Sequence, residues 1–240
     1  MIRARVRALL AVVVLIFIAA TTAIALVARD RAATSAEKPR LLLLTSLPLM
    51  FSEDFSLRGG GSPAAKALEA RFTLAPISTT SPVELSRGTL LLMAHPPAQT
   101  AENLVALDKW VREGGRVLLL ADPALEWPST RPLGDPLRPP LMFMDTGLLG
   151  HWGLRLDTPE RPGPAPRRLA GVDVVALSPG DLHGSGCAVA ADRFVARCQL
   201  GRGRATVVAD ADFINVDALG AGAGHNLEGL TGELADLERE

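Results

Sequence analysis

Aromatic side chains are scarce in this chain of 240 residues: there is no tyrosine, and phenylalanine and tryptophan bring the total to only 4%. Positive charge is not in excess either. Beyond residue 40 there are 18 Lys/Arg against 24 Asp/Glu, a net charge of −6. A mildly acidic chain with few aromatics lacks the basic, stacking surface that nucleic-acid binding needs, so that class is set aside. Only two cysteines occur, Cys187 and Cys198, which excludes a Cys-x-x-Cys redox or metal site. No Gly-x-Ser-x-Gly or Gly-x-Cys-x-Gly nucleophile elbow is present. "GGGSP" (59–63) lacks the Gly-Lys-Ser/Thr ending of a phosphate-binding loop and reads as a loop entering a helix.

What the chain has in quantity is apolar residues, 48%. "ALLAVVVLIFIAATTAIALVA", Ala8–Ala28, runs 21 residues without a charge. At 1.5 Å per residue that is about 31 Å, the thickness of a bilayer core. The run is longer than an ordinary signal-peptide core, although the small residues around Ala23-Ile24-Ala25 would suit a signal peptidase. The expectation is a retained transmembrane anchor (8–28) after a basic N-terminus (1–7), with a polar linker (29–39) and a folded domain (40–240). Arg3, Arg5 and Arg7 precede the helix and Arg29, Arg31, Lys38 and Arg40 follow it, so charge alone does not orient it. A short basic leader before a long domain suggests a bacterial-type inner membrane protein, single-pass, with its C-terminal domain extracytoplasmic.

"RLLLLTSLPL" (Arg40–Leu49) is the continuous apolar run of a strand covered on both faces. Ser62-Pro63 reads as a helix start, followed by "AAKALEARF", a strand in "TLAPIST", and a third strand in "GTLLLMAHP". Thr100 then caps a helix with Leu104, Leu107 and Val111 on one face, stopped by Gly114-Gly115. "RVLLLAD" is a fourth buried strand. This order predicts an α/β, doubly wound, mostly parallel sheet. Six prolines between Pro123 and Pro140 mark a surface excursion. "LMFMDTGLLGHWGLRLD" suggests a short helix and a strand near Leu154–Asp157, and "TPERPGPAP" a second break. Short alternating strands ("VDVVALS", "CAVAAD", "RFVARCQL", "RATVVADAD") imply C-terminal β-hairpins, and the tail from Asn226 an amphipathic helix.

If the chain turns at Asp192-Arg193, residue i faces residue 385 − i, and Cys187 faces Cys198. Cross-strand neighbours lie within disulfide range. The predicted bridge favours an oxidising compartment; two free buried thiols are the alternative.

Ligands of parallel sheets bind beyond the C-terminal strand ends. His95 follows the third strand, Asp122 the fourth, and Asp210 and Asp212 a later one. Three carboxylates and a histidine are a candidate ligand or metal site. Yet Asp also ends strands and starts turns without chemistry, and that is the reading preferred for Asp122. His151, His183 and His225 occupy unrelated contexts, and "HGSGC" (His183–Cys187) reads as a turn.

"LLLMAHPPAQTAENLVALDKWVREGGRVLLLADP" resembles the core of the GldG-like auxiliary proteins of ABC transporters and of related membrane-anchored domains. The matching features are Trp110, Val111, Gly114, Gly115, Asp122 and Pro123, together with "LGRGRATVVADADFIN" (Leu200–Asn215). The resemblance implies a fold like that of class I glutamine amidotransferases. That class needs a cysteine nucleophile where this chain has Ala94-His95-Pro96-Pro97, so its activity is not implied. The sequence therefore leads to the expectation of a non-catalytic, membrane-anchored accessory module beside an ABC transport system. It would use no cofactor and would have integral-membrane transporter subunits as partners. The alternatives are a metal-dependent hydrolase using His95, Asp122, Asp210 and Asp212, and a small-ligand sensor.

Overall fold

Four consecutive leucines, Leu41–Leu44, can all be buried only in a strand with protein on both faces, and this requirement organises the domain. The computed structural model describes residues 38–51 and 61–239; the expected anchor at 8–28 lies outside them. Strand β1 (Arg40–Thr45) leads to helix α1 (Pro63–Arg71), whose N-cap Ser62 accepts a hydrogen bond from the Ala65 amide. Then come β2 (Thr73–Pro76), a one-turn helix α2 (Pro82–Leu85), β3 (Leu90–Ala94), α3 (Ala101–Arg112) and β4 (Arg116–Leu120). After the proline-rich segment follow α4 (Leu148–His151) and the strands β5 (Leu154–Asp157), β6 (Pro164–Leu169), β7 (Val172–Leu177), β8 (Asp181–Gly184), β9 (Ala188–Val189), β10 (Val195–Leu200) and β11 (Gly203–Val208). A 3-10 turn (Asp212–Ile214), α5 (Val216–Leu219) and α6 (Asn226–Arg239) close the chain.

The central sheet has seven strands in the order β2-β1-β3-β4-β11-β10-β9. The first five strands pair in parallel, and β10 and β9 are joined on through antiparallel pairings, which is the expected α/β class with a mostly parallel sheet. The chain moves from β1 to β2 in one direction and from β3 to β4 in the other. Right-handed crossovers therefore place α1 and α3 on opposite faces. β5 pairs with β8 and β6 with β7 in two small antiparallel ribbons.

The double glycine after α3 divides two tasks. Gly114 takes φ 116°, a backbone an L side chain rarely adopts, while a Cβ on Gly115 would lie 2.3 Å from Trp110 Cε3. Cys187 and Cys198 form a disulfide with a Cα–Cα distance of 4.3 Å. The strand register beside it, Val189 with Ala196 and Ala188 with Arg197, obeys the sum of 385. The turn itself differs from the expected two-residue one: the Arg193 amide bonds to the Ala190 carbonyl, and Arg193 is left-handed at φ 57°. His183 lies within β8 rather than in a turn.

Among the described residues no helix is long and apolar enough to cross a membrane. The longest, α6, has 14 residues, about 21 Å against the roughly 30 Å of a bilayer core.

Candidate acid centre at the strand ends

Leu120 of β4 and Val208 of β11 are register partners in a parallel pair. Two residues beyond each lies an aspartate, Asp122 and Asp210, so equal steps past a paired end bring two carboxylates side by side. Asp212, in the 3-10 turn that follows, completes the group. One oxygen from each of the three lies within 4.8 Å of the others. All three side chains are buried, as is His95.

Main-chain amides hold this group in place. Asp122 Oδ1 accepts from Ala124 N at 2.8 Å; its Oδ2 accepts from Ala211 N at 2.8 Å and Asp212 N at 3.3 Å. Asp210 Oδ1 accepts from Asp212 N (2.7 Å) and its Oδ2 from Leu177 N (3.0 Å). Asp212 Oδ2 accepts from Glu126 N at 2.6 Å. Segments far apart in sequence thus meet on three acids, and that satisfies buried amides that would otherwise be costly to bury.

The electrostatics pull the other way. Burial, then the charges of Asp122 and Asp212, hold the Asp210 carboxyl well above the ordinary range. Burial, then Asp122, pushes Asp212 up to about 7, with Glu126 adding to the repulsion and its amide opposing it. Like charges in a low-dielectric site cannot all ionise, so protons or a cation must stand between them.

His95 follows β3, left-handed at φ 44°. Its Nε2 lies 2.8 Å from the Pro140 carbonyl, which can only accept, so Nε2 carries the proton. Nδ1 is then a buried acceptor with no hydrogen-bond partner. Burial is the largest influence on this imidazole and lowers its pKa, keeping it neutral. The carboxylate group consists of the three aspartates; His95 reaches it through the charge of Asp122 rather than as a fourth member.

Two neighbours carried no signal in the sequence. The Ser178 hydroxyl donates to the Glu126 carboxylate and accepts from Gly163 N at 2.8 Å. Ser178 follows β7 at φ 50°, and nothing in its local sequence marks that bend. Glu126 is simply the first acid of the proline-rich segment.

No protein-family model and no curated protein matches the chain. Solved structures do match. An exo-β-1,4-mannosidase, Op5Man5, from an Opitutaceae bacterium (strain TAV5) superposes with a TM-score of 0.51 at 14% identity, over 86% of this chain and 37% of that one. The cytoplasmic protein STM1381 of Salmonella typhimurium LT2 gives 0.52 at 10% identity over 82% of this chain and 99% of its own. The cytoplasmic protein STM3548 of Salmonella typhimurium gives 0.51 at 10%, over 82% and 98%. At these identities the likeness is one of fold. This chain spans little more than a third of the mannosidase.

These findings correct four expectations. The fold occurs within a sugar-cleaving enzyme and in proteins named as cytoplasmic, which overturns the non-catalytic, membrane-anchored accessory module. The view that the chain is not an enzyme rested on the missing nucleophile elbow alone, and it falls with that module. The inner-membrane, extracytoplasmic placement is withdrawn too, against those neighbours named as cytoplasmic. The reading as a membrane-tethered transporter auxiliary goes with it; the disulfide stays.

Proposed function

We propose that the domain is a cation-dependent hydrolase whose centre is formed by Asp122, Asp210 and Asp212. The observation that carries this reading is the convergence of three buried carboxylate oxygens within 4.8 Å. Opposed oxygens around a magnesium-, manganese- or calcium-sized ion lie roughly 4.2–5.2 Å apart, and such hard cations choose all-oxygen donor sets. A divalent charge would also relieve the repulsion that raises Asp210 and Asp212. When bound, such an ion supplies Lewis-acid polarisation and a more acidic water.

The residues of the chain supply the rest. Backbone amides aim the carboxylates, and neutral His95, with its bare Nδ1, offers a proton acceptor at the next strand end. Both cysteines are in the disulfide, so the chemistry runs on carboxylates and not on a thiol. Two-carboxylate glycosidase chemistry of the mannosidase kind fits less well. Such pairs stand about 5–5.5 or 6.5–9.5 Å apart across a sugar, and these acids are closer and fully covered.

Calorimetric titration of the full chain with Mn²⁺ at pH 8 tests this reading. A micromolar Kd that weakens at least tenfold in Asp122→Asn and Asp210→Asn is expected. Mn²⁺-dependent turnover of p-nitrophenyl phosphate or acetate should vanish in the same variants. An absence of binding overturns the proposal. One observation favours a second reading: both oxygens of Asp122, both of Asp210 and one of Asp212 already accept main-chain amides. In that reading the group is a proton-sharing clamp, and the two variants lose stability without any change in metal binding.

A further inference from the structure

The acids are buried, yet what covers them is a segment without helix or strand. Two short stretches pass over the centre, Ala124–Glu126 and Pro140–Phe143, joined to each other by Leu125 N on the Leu141 carbonyl (3.0 Å). Their attachments run largely to the groups they hide. Ala124 N bonds to Asp122 Oδ1 and Glu126 N to Asp212 Oδ2. Phe143 N bonds to the Asp122 carbonyl at 2.6 Å, and the Pro140 carbonyl to His95 Nε2 at 2.8 Å. The Ser178 hydroxyl fastens the Glu126 carboxylate from the far side.

Between the stretches, the tip holds its own shape. Leu137 N bonds to Asp135 Oδ1 at 2.8 Å, Arg138 donates to the Arg131 carbonyl, and Arg131 pairs with Asp135 at 3.4 Å. Its two leucines face water, Leu133 73% and Leu137 59% exposed, while Trp127 packs partly buried against the core. Lifting the part around Leu133 and Leu137 therefore exposes little new apolar surface. Six prolines restrict the backbone of the segment. The second stretch borders an open pocket of about 350 Å³ whose lining includes Pro123, Phe143, Asp145, Arg155 and Leu156.

We infer that residues 123–143 are a lid over the acid centre, latched by Glu126 to Ser178 and opening to admit cation and substrate. This inference rests on the function proposed above for what lies beneath. The lid is held by hydrogen bonds to the groups it covers and by Leu125, Trp127 and Phe143, which pack it against the core.

Amide hydrogen exchange on the full chain, in EDTA at pH 7, tests the lid without needing a bound ion. The amides of Ala124, Glu126 and Phe143 should exchange together, at least 100-fold faster than those of Leu92 and Leu118. Glu126→Ala and Ser178→Ala should each speed them about tenfold while leaving Leu92 unchanged. Glu126 is exposed, so its replacement keeps the core intact even if Ser178→Ala fails to fold. Exchange of the three amides at the core rate, or no change in Glu126→Ala, overturns the lid. Added Mn²⁺ separates the two proposals. If it slows the three amides, both stand; if it has no effect while they still open together, the lid stands and the cation reading falls.

Discussion

Asp212 gives the most direct test of the electrostatics, because its carboxyl is pushed up to about 7 by burial and by the Asp122 charge. In the unfolded chain it titrates at the ordinary 3.8. Between about pH 4 and pH 7 the native state therefore holds a proton that the unfolded state has released. The stabilisation is complete below the unfolded pKa and is lost as pH rises through the folded one. Three units correspond to about 4 kcal/mol, or about 8–16 °C in Tm for a domain of this size. Asp210, raised in the same sense, adds to the slope. Asp212→Asn removes the Asp212 share and eases the repulsion on Asp210. Thermal unfolding in EDTA from pH 4.5 to 8 should show wild type losing stability steadily while the variant stays flatter and is the more stable of the two at pH 8. Excess Mn²⁺ should reverse the order at pH 8 by binding the ionised group. Parallel profiles for the two proteins would refute the reasoning.

Two further outcomes follow from packing. Reducing the Cys187–Cys198 bridge, which spans 11 residues, should lower stability by about 3 kcal/mol in the loop-entropy account; Tm with and without reductant measures it, and thiols should titrate only after reduction. On the opposite face of β10 and β11, Glu233 is 1% exposed and takes a hydrogen bond from Arg197 Nε at 2.8 Å and another from Thr206 Oγ1 at 3.1 Å, whereas Arg197 is half exposed. Arg197→Ala leaves a buried charge and should cost about 3 kcal/mol, while Glu233→Gln frees an arginine that water can solvate and should cost about half as much; chemical denaturation of both variants compares them, and equal costs would count against the asymmetry.

Much of the sheet was legible because its signals are local. Leu41–Leu44, Leu90–Ala94 and Val117–Leu120 are buried apolar runs between turn residues, and the 385 register needed only the two cysteines and one hairpin. Where local rules conflict, reading failed. Pro164 and Pro166 suggest a break, yet both lie in β6, an edge of a two-stranded ribbon where a missing amide is tolerated. The one-turn α2 is too short to show periodicity. Asp122, Asp210 and Asp212 were visible as strand-end acids, and the preference for a turn-shaping role at Asp122 describes its bonds to Ala124 and Ala211. Their meeting stood only as an alternative, because nothing in residues 116–122 says that the strand beside β4 comes from residues 203–208.

That late partner has a consequence for how the polypeptide is made. As the ribosome works from residue 121 toward 203, the strand Arg116–Leu120 has one neighbour, Leu90–Ala94, and an open flank of leucines on the other side. More than eighty residues, including the proline-rich tract and both small ribbons, must emerge before Gly203–Val208 slots into the gap. Nascent chains stalled in that interval would carry an unpaired apolar edge, the kind that recruits chaperones or self-associates. A truncation ending before residue 203 should be insoluble even though it retains four of the five parallel strands.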